Sequence, residues 1–182
     1  MNKLLACVDA SAYAVSICDY AAWAAGRLGA TVELLHVIQR PDSVAERHDL
    51  SGSVGFGAKS NLLEELARID ETQGRLAQEQ GRALLDAASQ RLKEQGITEI
   101  AVAHRHGGIV ETVIEREADA DLVLIGKRGA SANFAKGHLG SKVERVVRQS
   151  VKPVLVANRE HRPVRRALIA YDAGASARKA VA

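Results

Sequence analysis

The chain has few aromatic and sulfur-containing residues and no long apolar run. Only 3% of its 182 residues are Phe, Trp or Tyr, and it has two cysteines and one methionine. Two cysteines are too few for a disulfide framework, and Cys7 and Cys18 do not have the spacing of a CxxC pair. We therefore expect both to be reduced thiols in the core of a cytoplasmic protein. No segment approaches the about 20 apolar residues of a membrane-spanning helix.

The small net charge argues against nucleic-acid binding, and the length and composition indicate a single globular domain. The formal net charge is only +3, and so few aromatic side chains could stack on bases that nucleic-acid binding is not favoured. Hydrophobic residues make up 47% of the chain and are mostly aliphatic. A length of 182 residues is sufficient for one domain with its own core.

Short apolar runs alternate with helical patterns along most of the chain. The runs predict five strands, at Leu4–Val8, Thr31–Ile38, Ile97–Ala103, Asp121–Ile125 and Pro153–Ala157. Helical spacing predicts four helices, at Ala12–Leu28, Asn61–Gln95, Ile109–Glu117 and Ser141–Gln149. Such alternation is typical of an α/β fold with a parallel sheet and helices on both of its faces.

Some local signals refine these elements. Ser11 is the expected N-cap of the first helix and Gly29 its C-terminal glycine. Gly74 and Gly81 are expected to kink or interrupt the long helix. The polar residues 42–60 predict a loop.

The segment after the fourth predicted strand has the glycine spacing that is typical of an anion-binding loop. Gly126 and Gly129 follow the strand, and we expect them to allow positive φ angles and close approach of a ligand to the backbone. Gly140 and Ser141 lie where a helical pattern begins, so unpaired N–H groups and the positive end of the helix dipole would favour a phosphate there. The same arrangement also occurs where an α/β protein only needs a tight connection.

Two predicted strands end in candidate binding residues. Asp9 follows the first strand, and Gly126 follows the fourth. Ligands of open parallel sheets bind beyond the carboxyl ends of the strands, where the strand order reverses. If these two strands are neighbours, one crevice contains both sets of residues.

Taken together, these motifs resemble the universal stress protein family. The resemblance covers residues 2–158 and rests on Val8-Asp9-Ala10-Ser11, on Leu35-His36-Val37, and on Gly126-x-x-Gly129 followed by Gly140-Ser141. It implies a Rossmann-like, open five-stranded parallel sheet of order 3-2-1-4-5, frequent homodimers and regulatory contacts with other proteins. In one branch it also implies ATP, with or without Mg²⁺, as the cofactor. Carried over by position, the implied nucleotide-binding residues are Asp9, Ala10, Val37, Gly126, Gly129, Gly140, Ser141, Lys142 and Val143.

The glycine motif departs from the pattern of the ATP-binding branch by one residue. Ten residues separate Gly129 from Gly140, whereas the family motif has nine. The extra residue could form a bulge in the loop, or it could move the phosphate-facing amides away from their targets. All three glycines are retained, which favours nucleotide binding. The alternative is a dimerisation or scaffolding module of the same fold that binds no nucleotide.

Catalytic and metal-binding patterns are weak in this sequence. No nucleophile–base pair with an orienting third group is evident, so we expect a binding protein in which any ATP hydrolysis is slow. His104 and His106 alternate along an extended segment, but no nearby cysteine or carboxylate completes a metal site.

The end of the chain repeats its beginning. Residues 166–174 (RALIAYDAG) follow the pattern of residues 3–11 (KLLACVDAS), with a basic residue, an apolar run, Asp and small residues. We expect a domain over residues 1–158, a linker over 159–165, and the truncated start of a second similar domain over 166–182. A single strand and a helix fragment cannot bury a core alone.

Overall fold

A computed structural model describes residues 2–39, 56–130 and 139–179. Most of the loop predicted over residues 42–60 lies outside the described residues, and so do eight of the ten residues between Gly129 and Gly140.

The described strands form one parallel sheet. Its strands are β1 (Asn2–Cys7), β2 (Ala30–Ile38), β3 (Ile100–His106), β4 (Leu122–Gly126) and β5 (Val154–Ala157). They are arranged in the order β3-β2-β1-β4-β5, and every neighbouring pair is parallel. The predicted fold class and strand order are therefore confirmed. Because β1 pairs with both β2 and β4, the strand order reverses at β1, as a switch point requires.

Helices follow the strands. They are α1 (Ala14–Leu28), α2 (Phe56–Glu94), α3 (Ile109–Arg116), α4 (Ser141–Gln149) and the short α5 (Ala175–Lys179). The prediction of α4 is confirmed to the residue, and α1 ends as expected at Gly29, which has a left-handed φ of 58°.

Two local expectations for the helices were wrong. Ser11 is not the N-cap of α1, since that position belongs to Tyr13, which makes no side-chain capping bond. The Ser11 hydroxyl instead accepts a hydrogen bond from the Tyr13 N–H at 3.2 Å, in the turn before the helix. Helix α2 continues through Gly74 and Gly81 over 39 residues. At the buried Gly81, packing of α2 against β2 and β3 offsets the cost of about 1 kcal/mol of a helical glycine.

The third strand was placed too early. Residue Ile97 belongs to the end of α2: its N–H donates to the Leu92 carbonyl at 3.0 Å while Gly96 adopts a φ of 86°. These are features of a Schellman C-cap, in which the residue after the glycine bonds back to the last turn. Strand β3 therefore starts at Ile100 and includes His104 and His106.

The core lies on both faces of the sheet. On one face Leu4, Ala6 and Leu34 pack against α1 and α2, and on the other Leu5, Cys7 and Leu35 pack against α3 and α4. This alternation follows from the period of two in a strand. Both cysteines are buried and free, and burial raises the pKa of Cys7 to about 12, so its thiol stays protonated.

A buried carboxylate joins β1, β2 and α3. Glu33 is only 2% exposed and forms ion pairs with Lys3 and Arg116. Burial acts to raise the pKa of Glu33, but hydrogen bonds and charge from Lys3 and Arg116 hold it below its usual value. The pair partners therefore keep this carboxylate ionised inside the protein.

The segment after β5 packs on α1 over a short distance. The Ser16 hydroxyl donates to the Asn158 carbonyl at 2.5 Å, and the Tyr20 and His161 rings contact edge to face at 4.6 Å. Residues 162–173 are exposed, and residues 163–172 form no strand. The proposed domain boundaries stay a prediction.

Candidate functional site

A cavity of about 400 Å³ opens at the carboxyl ends of β1, β2 and β4. Its volume is in the range of small-molecule sites, about 300–1,000 Å³. Every residue implied by the sequence lines this cavity, namely Asp9, Ala10, Val37, Gly126, Gly129, Gly140, Ser141, Lys142 and Val143. The fold thus brings together residues that are up to 134 positions apart in the chain (from 9 to 143).

Asp9 fastens the loop after β1 to the loop after β4. One carboxylate oxygen accepts the Ser11 N–H at 3.2 Å, and the other accepts the Ala130 N–H at 3.0 Å. The second bond spans 121 residues. Because α1 starts only at Ala14, Asp9 does not cap that helix, and its role in the structure is to hold the two walls of the cavity together.

Gly126, the last residue of β4, and Gly129 in the following loop are needed for close packing and not for positive φ. Neither has a φ in the left-handed region, contrary to expectation. A Cβ on Gly126 would lie 2.8 Å from the Tyr13 Cβ, so this glycine lets the start of α1 approach β4. A Cβ on Gly129 would lie 3.1 Å from a carboxylate oxygen of Asp9. Both glycines therefore position the cavity wall.

The start of α4 presents amide groups to the cavity. Gly140 is the N-cap residue, with φ −63° and ψ 143°, and its N–H donates to the Lys127 carbonyl at 3.2 Å. The first intrahelical bond runs from Glu144 to Gly140. Within the described ranges, the N–H groups of Ser141, Lys142 and Val143 have no backbone acceptor, as is usual for a first helical turn.

A lysine side chain lies across the cavity mouth. The ammonium of Lys142, at the start of α4, donates a hydrogen bond to the side-chain oxygen of Gln39, just after β2. Gln39 also lines the cavity. This contact connects the two sides of the mouth and leaves the positive charge beside the free amides.

Helix α2 supplies a wall that sequence reasoning missed. Ala77, Gln80, Gly81 and Leu84 line the cavity together with His36 from β2. The spacing of 77, 81 and 84 places these residues on one helical face, so periodicity could have indicated the face but not its neighbour. Gln39 gave no signal in the sequence.

Further classes of site receive no support from the described residues. Among residues 2–39, 56–130 and 139–179, no three His, Cys, Asp or Glu side chains are placed to hold a metal ion. Over the same residues, no helix has the length and apolarity needed to cross a bilayer.

Comparisons with known proteins agree with this architecture. The profile of the universal stress protein family matches residues 1–158. A universal stress protein from Synechocystis sp. is 35% identical over 180 residues, which is 98% of this chain and 63% of that protein. The chain therefore spans less than two thirds of the length of this relative.

Solved structures show the same fold at low identity. A hypothetical protein whose biochemical function was assigned from its structure aligns with a TM-score of 0.62 and 20% identity, covering 88% of this chain and 98% of that one. A universal stress protein in complex with cAMP aligns with a TM-score of 0.55 and 20% identity, covering 87% and 98%. The universal stress protein UspA from Lactobacillus plantarum aligns with a TM-score of 0.56 and 19% identity, covering 86% of this chain and 97% of that one.

The sheet order, the cavity at its switch point and the match over residues 1–158 lead to one assignment. The chain belongs to the universal stress protein family.

Proposed function

We propose that this protein binds ATP in the cavity at the switch point and acts as a regulatory module in the cytoplasmic response to stress. The observation that carries the proposal is that all nine residues implied by the sequence line one cavity. A nucleotide complex of a similar fold, that of a universal stress protein with cAMP, supports a nucleotide as the class of ligand.

The cavity offers different chemistry at its two ends. Asp9, Ala10 and Val37 would border the adenine and ribose, where the wall is partly apolar. At the other end Ser141, Lys142 and Val143 would donate their amides to the β- and γ-phosphates, and the helix dipole adds to the attraction. Lys142 would exchange Gln39 for a phosphate oxygen, and Mg²⁺ would accompany the nucleotide.

The lining favours binding over catalysis. Asp9 is the only carboxylate among the described residues around the cavity, and both of its oxygens already accept amide hydrogens. It is therefore poorly placed to take a proton from an attacking water. We expect ATP hydrolysis, where it occurs, to be slow.

Proline at position 141 tests the amide site directly. Ser141 is the first residue of α4, where helices accept proline, and the extended φ and ψ of Gly140 suit the residue before a proline. Ser141→Pro removes one phosphate-facing N–H, and we expect ATP binding weaker by about 10- to 150-fold, since a hydrogen bond to a charged group contributes roughly 1.5–3 kcal/mol. Ser141→Ala, which keeps the amide, is the matched control.

The measurement is a titration of thermal stability with Mg-ATP. Saturation at about 100 times the Kd should add about 2.7 kcal/mol of stability to the wild type. Equal shifts for Ser141→Pro and Ser141→Ala would exclude the amide site. The absence of any shift with millimolar nucleotide would instead favour the module that binds no nucleotide.

The open edge of the sheet favours homodimerisation as a second property. Strand β5 is an edge strand that pairs only with β4 in the described sheet, and Val151 beside it is 84% exposed. An unpaired edge is a template for another strand. Sedimentation of the purified protein with Val151→Lys as a comparison tests whether copies of the chain, or another protein, associate there.

A further inference from the structure

Three histidines pack together between the sheet and α2. His36 on β2 is the register partner of His104 on β3, and their ring centroids lie 5.4 Å apart. His106 lies two residues further along β3, with its ring stacked 6.3 Å from that of His104. The Nε2 atom of His106 is 3.3 Å from the Gln78 amide nitrogen.

Helix α2 contacts this cluster at Gly81. A Cβ there would lie 2.7 Å from the His104 Cε1 and 2.8 Å from the His36 Cδ2, so only glycine fits without a shift. The His104 Nε2 atom is buried and has no hydrogen-bond partner among the described residues. The helix backbone therefore covers a ring nitrogen that can hold a proton.

The groups that face His104 do not favour a positive charge. His36 approaches from β2, His106 from its own strand and the Arg82 guanidinium from α2. Asp86 of α2 lines the same groove, but it makes no hydrogen bond to the imidazole. Burial, followed by charge from His36, His106 and Arg82, lowers the pKa of His104.

The same contacts belong to the nucleotide cavity. Gly81 of α2 and His36 of β2 both line it where they contact each other, and Ala77 and Leu84 extend the α2 wall. The Nδ1 atom of His36 is 2.8 Å from the Val8 carbonyl oxygen, directly before Asp9. A displacement of α2 at Gly81 would therefore change the shape of the cavity.

We propose that His104 makes the cavity acid-sensitive: a proton on its covered Nε2 lifts α2 at Gly81 and weakens nucleotide binding. A protonated ring needs an acceptor or water at Nε2, and neither fits while the helix backbone stays in contact. The movement of α2 does not depend on the proposed function. The effect on nucleotide affinity rests on it.

The direction of the pH effect follows from linkage. Because the pKa of His104 is lowered in the closed structure, the open form takes up the proton first as pH falls below the ordinary value of about 6.5. The equilibrium between closed and open forms then shifts toward the open form by up to about tenfold per pH unit, until the pKa of the closed form is reached.

Hydrogen exchange of residues 77–84, corrected for the intrinsic pH dependence, measures the opening. It is compared at about pH 7.5 and about pH 5.5, on either side of the ordinary histidine pKa. We expect up to about tenfold faster exchange at the lower pH in the wild type. His104→Leu and, as a second uncharged variant, His104→Asn should show no such change. His106→Leu, which removes an exposed imidazole from the same strand face but keeps His104, should still show faster exchange at the lower pH, by a smaller factor than the wild type because one of the charges that lower the pKa of His104 is lost.

Affinity for methylanthraniloyl-ATP is measured at the same two pH values. Weaker binding at the lower pH in the wild type, and equal binding at both in the His104 variants, would support the coupling. The proposal would be overturned if the exchange rate of residues 77–84 did not depend on pH, or if it depended on pH equally in the His104 variants. It would also be overturned if the exchange rate changed with pH while the affinity for the nucleotide did not. Responsive exchange without nucleotide binding at either pH would support the movement of α2 and count against the proposed function instead.

Discussion

Two segments with one sequence pattern have opposite structures in this protein. Residues 3–11 contain all of β1 except its first residue, and Leu4 and Leu5 are completely buried at the centre of the sheet. Residues 166–174 repeat the pattern, yet Leu168 is 97% exposed and the segment forms no strand. The difference lies in the neighbours, because β1 pairs with β2 and β4.

The turn at the end of each segment nevertheless contains the same side-chain hydrogen bond. The Asp9 carboxylate accepts the N–H of Ser11 at 3.2 Å, and the Asp172 carboxylate accepts the N–H of Gly174 at 2.8 Å. An Asp side chain can make this bond to a residue two positions on without help from the rest of the chain. Turn chemistry is therefore local in both segments, whereas a strand exists only where partners supply its hydrogen bonds and cover its side chains.

The largest expected difference concerns the leucines. Leu4→Ala removes a fully buried side chain from the core and should lower the free energy of unfolding by about 3 kcal/mol. Leu168→Ala should change it by less than about 0.5 kcal/mol, because that side chain is in solvent. Urea denaturation of both variants provides the comparison. A loss of similar size at both positions would show that residues 166–172 are covered in solution.

The basic residue at the head of each segment gives a second comparison. Lys3 contacts the buried Glu33, whereas Arg166 is exposed and has no carboxylate partner in the described part of the chain. Lys3→Met should cost about 1–2 kcal/mol at neutral pH, because Glu33 keeps only Arg116. Arg166→Met should cost close to nothing.

The pH dependence of stability separates the role of Glu33 from that of simple packing. Its pKa is lowered in the folded protein, so its contribution is complete above the unfolded pKa of about 4.3 and is lost as pH falls through the lower folded value. Acid denaturation monitored by circular dichroism should show a shallower loss for Lys3→Met than for the wild type. Identical acid profiles would contradict this account of the ion pair.

The sequence was sufficient to predict the fold because the strands are continuous aliphatic runs. The runs around Leu34 and Leu124 are buried on both sides, and such runs are typical of parallel strands. The start of β3 was misplaced because Ile97 is apolar for a different reason: it packs on the core at the end of α2. Apolar composition does not distinguish a strand residue from a helix-capping contact.

The site was predictable where it follows the strand ends and was not where tertiary packing builds it. Asp9 and Gly140 could be placed because their motifs are contiguous in sequence. The wall from α2 depends on how close Gly81 comes to His104, a contact across 23 residues that no local pattern encodes. The function of Gly126 was misjudged for the same reason, since the Tyr13 side chain that it admits is distant in sequence.

Asp9 and Asp172, the turn residues of the two segments, give a third comparison. Asp9→Ala leaves the N–H groups of Ser11 and Ala130 without their acceptor and releases one cavity wall from the other. We expect about 1–2 kcal/mol lower stability. Asp172→Ala removes only the local bond to Gly174, so global unfolding in urea should not change. An unaffected Asp9→Ala variant would mean that the two loops are held by other contacts.

The smallest effect should come from Ala173, the residue between Asp172 and the Gly174 amide. Ala173 has a φ of 62°, which is costly for a residue with a Cβ, whereas Ala10 at the corresponding position lies outside this region. Ala173→Gly should relieve roughly 0.5–1 kcal/mol of local strain, partly offset by the flexibility of glycine, and slow exchange of the Gly174 amide about two- to fivefold.

Ala10→Gly is the matched control and should act in the opposite direction. It adds freedom to the unfolded chain without relieving strain, so global stability should fall by about 0.4–1 kcal/mol. If glycine stabilised both turns, or destabilised both, the backbone conformations of the two turns would not differ in solution. If glycine stabilised the turn at Ala173 and destabilised the turn at Ala10, the buried strand β1 would determine the backbone conformation of its turn, while the exposed segment 166–174 would retain only the hydrogen bond.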